Sequence, residues 1–121
     1  MFRNMFRKLR ELFMNNDLRF SRVTPQEARA VLADQSVAIM IDVREVDEVA
    51  GSAVPGALNI PRSFINTEIG LVLNDYDTPV FLCCAAGGRA MMAAETLCDM
   101  GYRNVNVIDA SHREILQAFR S

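Results

Sequence analysis

Three short apolar runs, each set off by turn-forming or helix-forming sequence, constrain the fold of this chain more than any other feature. They are residues 38–43, Val80–Cys83 and Val105–Ile108. Short, nearly continuous apolar runs are typical of strands that are buried on both faces of a parallel sheet. Residues 57–60 form a shorter run that ends at Pro61, and we predict a further strand there.

Helical patterns separate these runs and predict the layers that cover the sheet. Thr24 can cap a helix that begins at Pro25, and Glu27 completes a capping box. Ser111 and Glu114 form a second box of the same kind. The predicted helices cover residues 24–33, 45–50, 63–71, 89–100 and 111–119. This alternation predicts an α/β fold with a central parallel sheet of four to five strands, flanked by helices on both faces.

Size and charge limit what the chain can be. It has 121 residues, half of them hydrophobic, and a net charge of −2. A chain of this length is expected to form one domain with a packed core. A nucleic-acid-binding protein normally carries a dominant basic patch, so we expect no nucleic-acid partner here.

The cysteines indicate the redox environment and argue against a metal site. Cys83 and Cys84 are adjacent, and Cys98 is the third. Adjacent cysteines rarely pair because the ring they would close is strained, so we expect free thiols and a cytoplasmic protein. Two adjacent cysteines and a single histidine, His112, do not make a zinc site. We expect His112 to face solvent in the first turn of the last helix.

The N-terminal segment differs electrically from the rest of the chain. Residues 1–24 hold six Arg or Lys and two acids, a net of +4. Apolar residues recur at helical spacing in residues 2–14, which predicts an amphipathic helix. That helix could pack on its own domain, form a homodimer, enter a partner groove or contact an anionic membrane surface. We therefore divide the chain into an extension, residues 1–17, and a domain, residues 18–121.

The candidate catalytic residues lie in the loop that follows the predicted strand Val80–Cys83. Cys84 lies at the carboxyl end of that strand, where open α/β sheets bind ligands. Successive amides in a small-residue loop, together with a helix N-terminus, can hold an anion and favour a thiolate. Arg89 adds a positive charge with planar donors for an anionic substrate.

Four segments in register resemble signatures of the rhodanese family. The loop Cys84-Ala85-Ala86-Gly87-Gly88-Arg89 is similar to the active loop of that family, Cys-x-x-Gly-x-Arg. The stretch Asp42-Val43-Arg44-Glu45-Val46-Asp47-Glu48 resembles its Asp-Val-Arg-Glu-x-x-Glu signature. Residues 54–61 and 101–105 resemble two further family signatures, and the resemblance covers about residues 22–110.

The resemblance implies a sulfurtransferase that carries sulfur as a persulfide on Cys84. The thiolate would take the outer sulfur of thiosulfate or of a persulfide donor, and the amides of residues 85–89 would hold it. Cyanide in the test tube, or a protein or small thiol in the cell, would accept the sulfur. Asp42, Arg44 and Glu48 would form supporting ion pairs around the loop. No cofactor is implied beyond the transient persulfide, and the side chains of Ala85 and Ala86 offer no polar group to discriminate between donors.

Two other functions fit the same residues. Counted from Cys83, the spacing to Arg89 is that of a Cys-x5-Arg phosphatase or arsenate reductase, although Leu82 stands where such enzymes usually have His. Alternatively, the domain could be a regulatory or adaptor module that its N-terminal helix recruits to a partner. In that case residues 2–14 would carry the function and Cys84 would not.

Overall fold

A five-stranded parallel sheet lies at the centre of the molecule. The computed structural model describes residues 19–34 and 38–120. The strands are β1 (Ser21–Val23), β2 (Ile39–Asp42), β3 (Leu58–Asn59), β4 (Val80–Cys83) and β5 (Val105–Ile108). Their order is β1-β5-β4-β2-β3, and each neighbouring pair is parallel. The sequence pattern did not predict β1, because this three-residue edge strand has only one apolar residue and depends on pairing with β5.

Within the described residues, four α-helices connect successive strands and a fifth follows β5. They are α1 (Pro25–Asp34), α2 (Val46–Gly51), α3 (Ile65–Val72), α4 (Gly88–Asp99) and α5 (His112–Arg120). A 3-10 turn, Arg62–Phe64, leads into α3, so the predicted helix over 63–71 is two elements. The other predicted helices are confirmed, and each of their ends shifts by one residue.

The predicted helix caps are present in the structure. The amide of Glu27 donates to Thr24 Oγ1 at 3.1 Å, and the amide of Thr24 donates to the Glu27 carboxylate at 2.9 Å. Ser111 and Glu114 bond reciprocally in the same way, at 3.0 and 3.2 Å. These caps satisfy amides that the first turn of a helix leaves without internal partners.

The core has two layers because successive strand residues point to opposite faces of the sheet. One layer contains Ile41, Leu82 and Val107, together with buried residues of α3 and α4. The other contains Met40, Phe81 and Ile108, with residues of α1 and α5 against them. Helices on both faces of the sheet were predicted and are confirmed. The neighbours Cys83 and Cys84 belong to different layers.

The predicted amphipathic segment, residues 2–14, lies outside the residues that the structure describes. Its interpretation, and the boundary of the extension at residue 17, therefore stay predictions. Within residues 19–34 and 38–120, none of the helices has the length and apolar character needed to cross a bilayer.

Candidate active site around Cys84

The Cys84 loop connects the carboxyl end of β4 to the first turn of α4. Gly87 has a φ of 103°, a left-handed conformation that glycine adopts without the strain other residues would meet. A Cβ at this position would also lie 3.3 Å from Asp109 Oδ1. Cys84 itself is 2% exposed, whereas Ala85, Ala86 and Gly88 are exposed. The sulfur therefore lies at the floor of the loop and not at the surface.

Two backbone amides point at the Cys84 sulfur. The Gly87 amide donates to Sγ at 3.0 Å and the Ala90 amide at 3.4 Å. The amides of residues 85–89 were predicted to hold the transferred sulfur, and that role stays a prediction. The Gly87 amide belongs to this set, whereas the Ala90 amide does not. Ala90 was missed because it lies inside α4. It is the third residue of that helix, and unsatisfied amides in a first helical turn were the signal that could have identified it.

The sulfur thus takes the place of a helix-capping group. Gly87 is the residue before α4 and has no side chain with which to cap it. The Cys84 sulfur accepts the amide of the third helical residue instead, as the side chain of an N-cap residue does. Amides at a helix N-terminus stabilise negative charge, so this arrangement can hold an anionic sulfur adduct.

Arg89, the last residue of the predicted loop, is paired with a carboxylate from another element. Its two terminal nitrogens donate to the two Glu48 oxygens at 2.6 and 3.0 Å. The hydrogen bond from Arg89 lowers the pKa of Glu48 from 4.5 to about 2. Glu48 belongs to α2, so this pair ties the N-terminus of α4 to α2. The predicted role of Arg89 in binding a substrate anion stays a prediction.

The other predicted supporting residues form a buried ion pair below the loop. Arg44 donates to Asp42 Oδ2 at 2.7 Å, and the side chains are 5% and 1% exposed. The same nitrogen, Nη2, also donates to the carbonyl of Ser52 at 2.7 Å. The pair fixes the chain after β2, which is the segment that carries Glu48 toward the loop.

Cys83 is unsuited to be a nucleophile. It is 1% exposed and lies in the opposite core layer from Cys84. Burial, with the nearby Asp42 carboxylate, raises the pKa of its thiol far above the usual range. The structure therefore does not favour a phosphatase that uses Cys83. Cys98 is partly buried against the core. Across the described residues, no three potential ligands group together as a metal site would require.

His112 is partly buried, which corrects the prediction that it faces solvent. Its Nε2 lies 3.0 Å from Ser52 Oγ, and its Nδ1 is buried without a hydrogen-bond partner in the described part of the chain. Its backbone amide donates to the carbonyl of Ala85 at 2.9 Å. Burial, followed by the Arg44 guanidinium, lowers the pKa of His112. The prediction failed because Ser52 lies far away in the sequence and approaches only in the fold.

Comparison with known proteins identifies the family. The sequence model of the family described as rhodanese-like domain matches residues 24–118. The thiosulfate sulfurtransferase GlpE of Haemophilus influenzae is 33% identical over 87 residues, which cover 71% of this chain and 78% of that protein. A sulfurtransferase of Allochromatium vinosum is 30% identical over 74 residues, covering 61% and 67% of the two chains. Human single-domain sulfurtransferase TSTD1 superimposes with a TM-score of 0.68 at 24% identity, covering 83% of this chain and 96% of that one.

The matched region includes strands β2–β5 and the Cys84 loop. The predicted fold and family are both confirmed by this match and by the parallel sheet with helices on its two faces. The chain therefore belongs to the rhodanese-like family of sulfurtransferase enzymes.

Proposed function

We propose that the chain moves a sulfane sulfur from a small donor to a thiophilic acceptor through a persulfide on Cys84. The observation that carries this proposal is the pair of amides directed at the sulfur, from Gly87 at 3.0 Å and Ala90 at 3.4 Å. Both amides are hydrogen-bond donors that suit an anionic sulfur, and neither contact requires a charged side chain. The thiosulfate sulfurtransferase GlpE, a relative at 33% identity, supports the same chemistry.

The reaction has two steps. In the first, the Cys84 thiolate attacks the outer sulfur of the donor, a new S–S bond forms, and the donor's own S–S bond breaks with its electron pair on the leaving group. Thiosulfate would release sulfite in this step. In the second, an acceptor nucleophile attacks the outer sulfur of the Cys84 persulfide and the thiolate leaves. Such covalent catalysis in two half-reactions produces ping-pong kinetics.

Access to the sulfur is through the loop. Because Cys84 is 2% exposed, a donor must approach between the exposed residues Ala85, Ala86 and Gly88. Small side chains at these positions leave the least bulk in the way. The loop backbone must therefore admit one sulfur atom above Sγ before transfer can occur.

Mass spectrometry of the intact protein tests the proposal. Treatment with a sulfane donor should add about 32 Da, and cyanide should remove it, because a nucleophilic thiolate carries the sulfur. Cys84→Ser should abolish the adduct. Cys83→Ala is the matched control and should keep it, since Cys83 lies in the opposite core layer. An adduct that depends on Cys83, or none on the folded wild-type protein, would refute the assignment.

A further inference from the structure

The charges around the Cys84 loop are balanced in pairs. Arg89 is the one charged residue in the segment 84–89, and its two terminal nitrogens are occupied by Glu48. A guanidinium binds an anion most strongly through two parallel N–H bonds, and Glu48 takes one such pair at the end of the Arg89 side chain while it neutralises the charge. The two side chains are 33% and 35% exposed, so the pair lies where a donor would approach.

Two other guanidinium groups of the described residues near the loop are also paired. Arg44 is buried against Asp42. Arg22 donates to Asp109 at 2.6 Å, and the Asp109 carboxylate lies next to the loop.

Glu45 adds a negative charge that acts electrostatically on Arg89. Among the described residues, the guanidinium of the loop itself is therefore neutralised by a carboxylate, with Glu45 as an additional negative charge.

This charge balance bears on the choice of donor. Thiosulfate is a dianion. When Arg89 is neutralised, the site offers the sulfonate oxygens of thiosulfate only backbone amides. A donor whose leaving group is organic, such as an organic persulfide or thiosulfonate, brings less negative charge to the loop. Building on the proposed function, we infer that Glu48 sets the donor preference of this enzyme: it withholds Arg89 from dianionic donors and so favours donors with an organic leaving group.

The preferred reaction conserves atoms and charge. With an organic persulfide, R–S–SH, the Cys84 thiolate bonds to the outer sulfur, the S–S bond of the donor breaks with its electron pair on the inner sulfur, and R–S⁻ leaves. With a thiosulfonate anion, the same attack releases the sulfinate. Neither reaction needs an oxidant or a reductant.

The Arg89–Glu48 pair persists over the useful pH range. The folded pKa of Glu48 is about 2, below its ordinary value of 4.5. The contribution of the pair is therefore fully present above about pH 4.5 and is lost only as the pH falls toward about 2. Donor preference should accordingly not change with pH near neutrality.

Two sulfur donors and one substitution test the inference. Methanethiosulfonate is thiosulfate with a methyl group in place of one charged oxygen, so the two probes differ in charge at similar size. Glu48→Gln removes the charge that neutralises Arg89, while the amide oxygen can still accept the Glu45 backbone N–H, 2.9 Å away in the wild type. We expect kcat/KM for thiosulfate to rise about tenfold, and that for methanethiosulfonate to rise less than about threefold, because a freed guanidinium favours the dianion.

Asp47→Asn is the matched control. It removes one carboxylate from the same turn of α2, without a contact to Arg89 among the described residues, and should leave the ratio of the two kcat/KM values unchanged. Adding Arg89→Ala to Glu48→Gln should abolish the gain with thiosulfate, because the gain acts through the guanidinium.

The inference is overturned if Glu48→Gln changes both donors equally or lowers thiosulfate turnover. It is overturned as well if Asp47→Asn reproduces the gain. These results differ from failure of the proposed function, in which neither donor would produce a persulfide on Cys84.

Discussion

The Asp42 carboxylate and the Arg44 guanidinium lie in an environment that nearly excludes water, with side chains 1% and 5% exposed. Arg44 also reaches the carbonyl of Ser52, so one side chain joins β2 to the end of α2. In such surroundings an ion left without its partner is expensive, because neither water nor another charge compensates it. We therefore expect these residues to support the site through stability, since the hydrogen bonds to the Cys84 sulfur among the described residues come from Gly87 and Ala90.

Removing one member of this pair should destabilise the fold strongly. We expect Asp42→Ala to lower the free energy of unfolding by about 3 kcal/mol or more, since it leaves the Arg44 charge buried and unpaired. Asp77→Ala is the matched control. Asp77 pairs with Arg103 at the surface, where the side chains are 68% and 65% exposed. That loss should be several-fold smaller, because water screens an exposed ion pair. Urea denaturation measures both, and equal losses would contradict the prediction.

At the scale of elements, the N-terminus of α5 anchors the active loop. The His112 amide holds the carbonyl of Ala85, the residue next to Cys84, and the His112 ring contacts Ser52 at the end of α2. One residue thus joins α5, the end of α2 and the loop. Its ring is partly buried close to Arg44, so a proton on the ring would meet both lost hydration and a like charge.

This environment predicts a pH-dependent stability. The folded pKa of His112 lies below its ordinary value of 6.5. The neutral ring therefore makes its full contribution to folding stability above pH 6.5. Stability is then lost as the pH falls through 6.5 toward the folded pKa. We expect wild type to lose more stability than His112→Asn between about pH 7.5 and about pH 5.5.

Urea denaturation at the two pH values gives the comparison, and the titration of the single histidine can be followed by NMR. Ser52→Ala is a useful companion, because it removes the contact to Nε2 and leaves the titrating ring in place. A histidine that titrates at or above 6.5, or equal pH dependence in wild type and His112→Asn, would contradict the prediction.

At the scale of the whole molecule, the parallel sheet brings distant segments to one edge. β2 and β4 are neighbours, and Asp42 pairs in register with Cys83. Both strands therefore end at the same carboxyl edge of the sheet. There α2, which follows β2, carries Glu48, and the loop after β4 carries Cys84. In the described part of the chain, the contacts of the site lie between β2 and the start of α5.

The site should therefore not depend on the N-terminal extension. We expect deletion of residues 1–16 to leave kcat/KM for sulfur transfer within about twofold, because the loop contacts lie within the domain. The full-length chain is the control, with circular dichroism to check folding. Sedimentation and binding to anionic vesicles then decide between the open interpretations of residues 2–14. A large loss of turnover in a folded truncated protein would show that the extension contributes to the site.

Much of the architecture could be predicted because its causes are local. The apolar run Val80–Cys83 is short and without polar residues, as is typical of a strand buried on both faces. The pairs Thr24–Glu27 and Ser111–Glu114 cap their own helices within four residues of chain. The position of Cys84 at a strand end before a glycine-rich turn followed from the same local logic. The edge strand β1 did not, since its pairing with β5 spans most of the chain.

Apart from β1, the strands and helices, and the cysteine that occupies the loop, follow from neighbouring residues and could therefore be derived from sequence alone. Long-range packing was needed to establish four features: the near-complete burial of Cys84, the hydrogen bond from the Ala90 amide to the Cys84 sulfur, the pairing of Arg89 with Glu48 and the contact of His112 with Ser52. The last two pairs lie 41 and 60 residues apart. Their partners meet because the sheet brings its strand ends together, and no local pattern in the sequence records that distance.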